Sequence, residues 1–194
     1  MDTDRTYTVE FAVQPSAESV PQVPLYPPIA LRVHIYDSSG AEVSGEDELN
    51  SLFAQATLYD HTGRTPLAPP NRYLLSGQLS RSLDLVDDVS GSASGRPPGS
   101  YVMFPDVRIN RPGSYRIGIS LFKVGDGGQV RSISVDSTSE FDRRTGGGVS
   151  VEEAKTRVID VHEGHVPASR LSEFFLPSFT AILKEKGFSD SFYF

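Results

Sequence analysis

The sequence predicts an all-β fold, an antiparallel sandwich, on three observations. Apolar residues alternate with polar ones at period two in four runs: Tyr7, Val9, Phe11 and Val13; Ile29, Leu31, Val33 and Ile35; Leu52, Ala54, Ala56 and Leu58; and Tyr115, Ile117, Ile119 and Leu121. Turn-forming clusters separate the runs: Asp37-Ser-Ser-Gly40, Asp60-His-Thr-Gly63, Arg111-Pro-Gly113 and Gly125-Asp-Gly-Gly128. No regular exchange of strand and helix patterns runs along the chain, which argues against a parallel sheet.

Each run buries one face and leaves the other to water or a partner. In the first, Thr8, Glu10 and Ala12 oppose the apolar set; in the second, Arg32, His34 and Tyr36 do so; in the fourth, Arg116, Gly118 and Ser120. Weaker strand signals lie at 72–75, 78–85, 101–109, 130–135 and 157–162. The segments 87–99 and 145–153 are small, polar and rich in Gly, Pro or Ser and read as mobile loops, Ser150 with Glu153 offering a cap for one short turn. One C-terminal helix is predicted: Pro177 suits the first turn, Phe179, Ile182 and Leu183 form a stripe, and Gly187 stops it. The tail 190–194 is apolar.

The 194 residues fit one domain, taken as 6–189, and a chain this long buries roughly 70% of its unfolded surface without staples. Cysteine is absent, which removes disulfides, zinc–thiolate sites and cysteine nucleophiles. No stretch approaches the roughly 18 apolar residues of a membrane span, so no membrane partner is expected. The opening MDTDRTYTVEF is acidic and polar, unlike a secretory signal or transit peptide. Lys and Arg total 18 against 25 Asp and Glu, a net charge of −7 that opposes a polyanion overall. The sign is uneven: residues 1–100 carry 6 basic and 13 acidic side chains, residues 101–160 carry 9 and 8, so an anion-facing surface is expected from the middle of the chain.

No catalytic constellation emerges. His162-Glu-Gly-His165 is the only close histidine pair, and its spacing lacks the helical HExxH geometry that sets two rings over zinc. No GxSxG elbow marks a nucleophile, and Asp87-Asp88 and Glu152-Glu153 lie in polar stretches poor for acid–base work. The expectation is therefore no enzyme, no cofactor, no metal and no small-molecule substrate. The arginines carry more information. Arg108, Arg111 and Arg116 straddle a predicted turn, and Arg143 and Arg144 flank a glycine-rich loop, so all five are candidates to grip phosphate. The competing reading is that they solvate the surface of an acidic protein.

The block Tyr101 to Lys123, YVMFPDVRINRPGSYRIGISLFK, resembles the signature of the velvet domain, the fungal regulators of development and secondary metabolism. That family shows an FVFPDL strand there, then a basic turn ending in Gly, then YRLRFSLFEI. Tyr7 to Pro15 is similar to the family's opening strand, Pro27 to Leu31 to its PPPIVQL element, and Ala56 to Asp60 to its ASLYD strand. Gly77 to Leu83 is similar to its GTLVSSL strand and Leu176 to Phe188 to its closing helix, so the likeness spans nearly the whole chain. It implies an immunoglobulin-like sandwich similar to the Rel-homology DNA-binding domain, with a C-terminal helix. It also implies dimerisation with itself or another velvet-family protein, action in the nucleus with a cytoplasmic pool possible, and transcriptional control of sporulation and metabolite genes on duplex DNA.

The chain departs from the family at one place. The family's loop before the PPPI strand is longer and carries a lysine and arginine cluster implicated in DNA contact, whereas residues 16–26, SAESVPQVPLY, hold no Lys or Arg. Two readings follow: a regulator that grips DNA through Arg108, Arg111, Arg116, Arg143 and Arg144, or an acidic subunit that pairs with a DNA-binding velvet partner. The second would use Val23, Leu25 and Tyr26 with Phe192 and Tyr193 as its partner surface. A third, a secreted ligand- or carbohydrate-binding sandwich, is disfavoured by the absence of Trp and Cys and by the polar N-terminus.

Overall fold

The computed structural model describes residues 5–69, 71–86, 99–124, 130–131 and 150–164. In chain order the strands are β1 (Thr6–Val13), β2 (Glu18–Ser19), β3 (Ile29–Tyr36), β4 (Leu52–Asp60), β5 (Pro66–Ala68), β6 (Leu75–Ser76), β7 (Ser80–Ser82), β8 (Asp84–Val86), β9 (Gly99–Phe104) and β10 (Arg108–Ile109). They continue as β11 (Gly113–Val124), β12 (Val130–Arg131), β13 (Ser150–Lys155) and β14 (Ile159–Val161), and a single 3-10 turn covers Glu46–Glu48.

The strands form an all-β sandwich. One sheet has the order β1-β3-β9-β8. The other has the order β2-β14-β11-β4-β5, with β12 and β13 also on β11 and β7 on β4. β10 and β6 make a separate two-stranded ribbon. Pairing is antiparallel except where β2 lies parallel to β14. The longest ladder joins β11 to β4, from Tyr115 opposite Asp60 to Lys123 opposite Leu52.

The alternating residues meet where the periodicity puts them. Leu31, Val33, Ile35, Val102 and Phe104 from one sheet and Leu52, Ala54, Ala56, Leu58, Ile117, Ile119 and Leu121 from the other are buried in one cluster. Each fully buried Leu or Ile contributes about 1.5–3 kcal/mol by leaving water. On the opposite face of β3, His34 stacks on Tyr36 with ring centroids 6.3 Å apart. The two nitrogens of His34 lie 2.8 Å from Glu42 and 3.1 Å from Glu10.

Turn chemistry fixes the β3 and β4 exits. Asp37 Oδ1 accepts from the Ser39 and Ala41 backbone N–H groups, and Asp60 Oδ1 accepts from the Thr62 hydroxyl and the Arg64 N–H. These donors hold both carboxyls below the usual carboxylate range, the side-chain bonds from Ser39 and Thr62 leading.

Five expectations need correction. Val13 does not share a face with Tyr7, Val9 and Phe11, because a bulge shifts the register after Phe11 and sets Val13 opposite Ala30. The 72–75 signal is a turn over 71–74 that only begins β6 at Leu75, and Pro105-Asp106 divides the 101–109 run into β9 and β10. Residues 150–153, read as loop or capped turn, belong to β13, which pairs with β11. The run 78–85 splits into β7 and β8, one on each sheet. The C-terminal helix, the tail 190–194, residues 87–98 and 145–149 and the turn 125–128 lie outside the described residues.

Candidate anion-binding site

The β10–β6 ribbon follows the same period-two rule on a small scale. Val107 and Ile109 go into the core with Leu75, and Arg108 and Asn110 therefore go the other way. Arg108 pairs with Ser76 and Ile109 with Leu75. Asn110 locks the edge: its N–H donates to the Leu74 carbonyl, its side-chain NH2 to the Tyr73 carbonyl, and its Oδ1 accepts from the Ser76 hydroxyl at 2.9 Å.

The loop 16–26 closes the other side. Ser16 N–H donates to the Tyr26 carbonyl, Leu25 N–H to the Val107 carbonyl and Gln22 N–H to the Ile109 carbonyl, each within 2.9 Å. Gln22 sits at φ 65, the left-handed region that side chains rarely occupy, and it is the only non-glycine there among the described residues. Its bond to Ile109 retains that strain beside the cavity, and retained strain of this kind clusters at binding sites.

These elements surround an open cavity of about 570 Å³ lined by Gln22, Arg72, Tyr73, Ser76, Arg108, Asn110 and Arg111. Away from the cavity most described arginines are tied down: Arg5 to Asp47 and Glu48, Arg32 to Glu42, Arg81 to Gln78, and Arg157 to the Pro15 carbonyl, while Arg64 donates only through its backbone N–H. Around the cavity none of the three guanidinium groups has a hydrogen-bond or ion-pair partner among the described residues. The nearby Asp106 carboxylate is engaged by the Gln78 N–H at 3.1 Å and does not line the cavity. Three uncompensated cations about one opening concentrate positive potential on an otherwise acidic protein. The donors available are guanidinium forks, which match the oxygens of phosphate or carboxylate.

The structure divides the candidate residues. Arg108 and Arg111 come together at the cavity, and Arg72, which sequence reasoning missed, joins them from the turn before β6. Its only signal was adjacency to the exposed Tyr73, since 35 residues separate it from the Arg108 region. Arg116 is elsewhere, three residues into β11 and so about 10 Å from the turn. Its guanidinium donates to the His61 carbonyl at 2.9 Å and the Thr156 carbonyl at 2.8 Å, so it braces backbone and is not free to grip a ligand. Leu25, expected at a partner surface, is a core residue, 3% exposed. Val23 and Tyr26 are half-buried beside it. Arg143, Arg144, Phe192, Tyr193 and His165 lie outside the described residues. Among the described residues no cluster of His, Asp and Glu is arranged to hold a metal, and no helix is long and apolar enough to cross a membrane. Compared with protein-family models and with curated protein sequences, the chain matches none.

Proposed function

We propose that this chain is a velvet-type transcription regulator of fungal development, sporulation and secondary metabolism that acts as a dimer on DNA in the nucleus. The observation that carries the reading is the trio Arg72, Arg108 and Arg111, gathered around one opening and unpaired among the described residues. On this reading the sandwich is of the immunoglobulin-like, Rel-homology-like kind, and the end bearing β10 faces the duplex. The loop 16–26 lacks the family's basic cluster, yet Gln22 bonds β10 at Ile109 and Leu25 bonds Val107 just before it. Arginines from two neighbouring elements then supply the charge that the loop does not. Each phosphate neutralised releases counterions, which is the main sequence-independent source of affinity for DNA.

A second reading is favoured by the net charge of −7: an acidic subunit that heterodimerises with a DNA-binding velvet partner and contributes the three arginines as an accessory grip. Titration of a mixed-sequence duplex at low salt, with light scattering for the oligomeric state, separates the two. The first reading expects the chain alone to dimerise and bind, with Arg111→Ala weakening binding and Arg64→Ala leaving it intact. Binding that appears only with a basic velvet partner supports the second. No binding in either arm contradicts both.

A further inference from the structure

Tyr73 is the one large apolar side chain exposed among the described residues, at 81%. Its backbone is hydrogen-bonded on both sides: its N–H donates to Asn71 Oδ1 at 3.2 Å, and its carbonyl accepts from the Asn110 side chain at 3.2 Å. Its ring, by contrast, has no hydrogen-bond, stacking or cation–π partner among the described residues. A fixed stem with a bare aromatic face is a poor arrangement for stability and a good one for presenting a flat surface. The chain neighbour on one side is Arg72, and Arg108 and Arg111 line the same cavity. Side-chain acceptors and donors from Gln22, Ser76 and Asn110 complete the lining.

Intact B-form duplex offers no base face to such a ring, because every base is stacked within the helix. Where a base is unstacked, a cationic groove with an aromatic platform is the arrangement that holds it: arginines take the flanking phosphates and the ring takes the base. Resting on the DNA-binding reading above, we infer that Tyr73 is a stacking platform for a single unstacked base, and that the site engages nucleic acid locally opened at one nucleotide. The shared chemistry is one exposed base between two phosphates. It is found in a single strand and in a duplex carrying an extrahelical nucleotide.

The test uses the full chain with three fluorescent probes: a short oligothymidylate, a blunt mixed-sequence duplex, and the same duplex with one bulged thymine. The inference expects the strand or the bulged duplex to bind more tightly than the blunt duplex. Tyr73→Ala then loses about 5- to 150-fold on the tighter probe, the range for removing one base–aromatic stack, and much less on the blunt duplex. Tyr73→Phe keeps the stack and restores tight binding. A 2-aminopurine at the bulge is quenched by the wild-type chain and not by Tyr73→Ala. Which probe is preferred distinguishes strand from bulge. Equal binding of all three probes with no effect of Tyr73→Ala overturns the inference and leaves the DNA reading standing. A loss in Tyr73→Phe as large as in Tyr73→Ala also overturns it, since the hydroxyl would then be the contact. Failure of every probe to bind removes the DNA reading itself. Because the ring is exposed and unpartnered among the described residues, an unchanged thermal midpoint of the variant checks that folding is intact.

Discussion

Lys123 Nζ and Glu48 Oε1, 75 positions apart in the chain, meet at 3.1 Å inside the sandwich. The same carboxylate oxygen accepts from Arg5 at 2.9 Å and from the Tyr7 hydroxyl at 3.0 Å, while Lys123 donates to Tyr7 at 2.7 Å. Ser51 donates to the second oxygen. The cluster joins β1 of one sheet, β11 of the other and the 3-10 turn between β3 and β4, so it fixes how the two sheets close at that end. Glu48 is 4% exposed, and a lone carboxylate there would be prohibitive without these donors.

Removing one partner should therefore cost more than a surface ion pair would. Lys123→Met is expected to lower unfolding free energy by about 3 kcal/mol, the low end for a broken buried pair, because the lysine side chain keeps 20% exposure. Urea titration measures it. A loss near zero would place Lys123 among ordinary surface cations.

The cluster also sets an acid limit. Burial opposes ionisation of Glu48, but the bonds from Ser51, Lys123 and Tyr7 and the charge of Lys123 outweigh it and hold the carboxyl below its ordinary 4.5. A depressed folded value contributes stability that is present above 4.5 and is lost as pH falls through the lower, folded value. Unfolding free energy should thus decline as the pH drops below 4.5, and Glu48→Gln should flatten that decline while lowering stability at neutral pH. Identical acid profiles for the two proteins would contradict the assignment.

Arg116→Ala is expected to destabilise by about 1–3 kcal/mol, since the His61 and Thr156 carbonyls lose charge-assisted partners. On the proposed DNA-binding reading, affinity for duplex, corrected for folded fraction, should stay as it is. Thermal melts beside a binding titration make the comparison, and a binding defect without a melting shift would return Arg116 to the phosphate-contacting set.

Gly77 couples fold to site. It sits at φ +103 between β6 and β7, and a Cβ there would lie 2.4 Å from the Asp106 carbonyl, two residues before Arg108. Both the backbone conformation and the space exclude alanine. Gly77→Ala should lower the thermal midpoint and weaken binding together, because the ribbon carrying Arg108 must shift. Full retention of both would show that β6 and β10 tolerate separation.

The long strands were legible because a half-buried ladder writes period two into the chain: β1, β3, β4 and β11 begin within two residues of their first alternating apolar residue. What was hidden depended on contacts distant in sequence. β13 reads Ser-Val-Glu-Glu-Ala-Lys, with no apolar alternation, and becomes a strand only by pairing with β11. The bulge in β1 flips Val13 with no Gly or Pro to signal it. At the site, the turn around Arg111 announced itself, but Arg72 joins it only through the β6–β10 pairing. Gln22 adopts a glycine-like conformation in a loop whose residue types do not demand it. Arg116 misled because proximity in sequence along an extended strand is not proximity in space.

On the proposed function three guanidiniums grip phosphate, and the salt dependence of duplex binding tests that most directly. Affinity measured across a range of salt should give a log–log slope that becomes shallower by about one unit for each of Arg72, Arg108 and Arg111 replaced by alanine, about three units in the triple variant. A triple variant with the slope of the wild-type chain would show that the phosphates are held somewhere else.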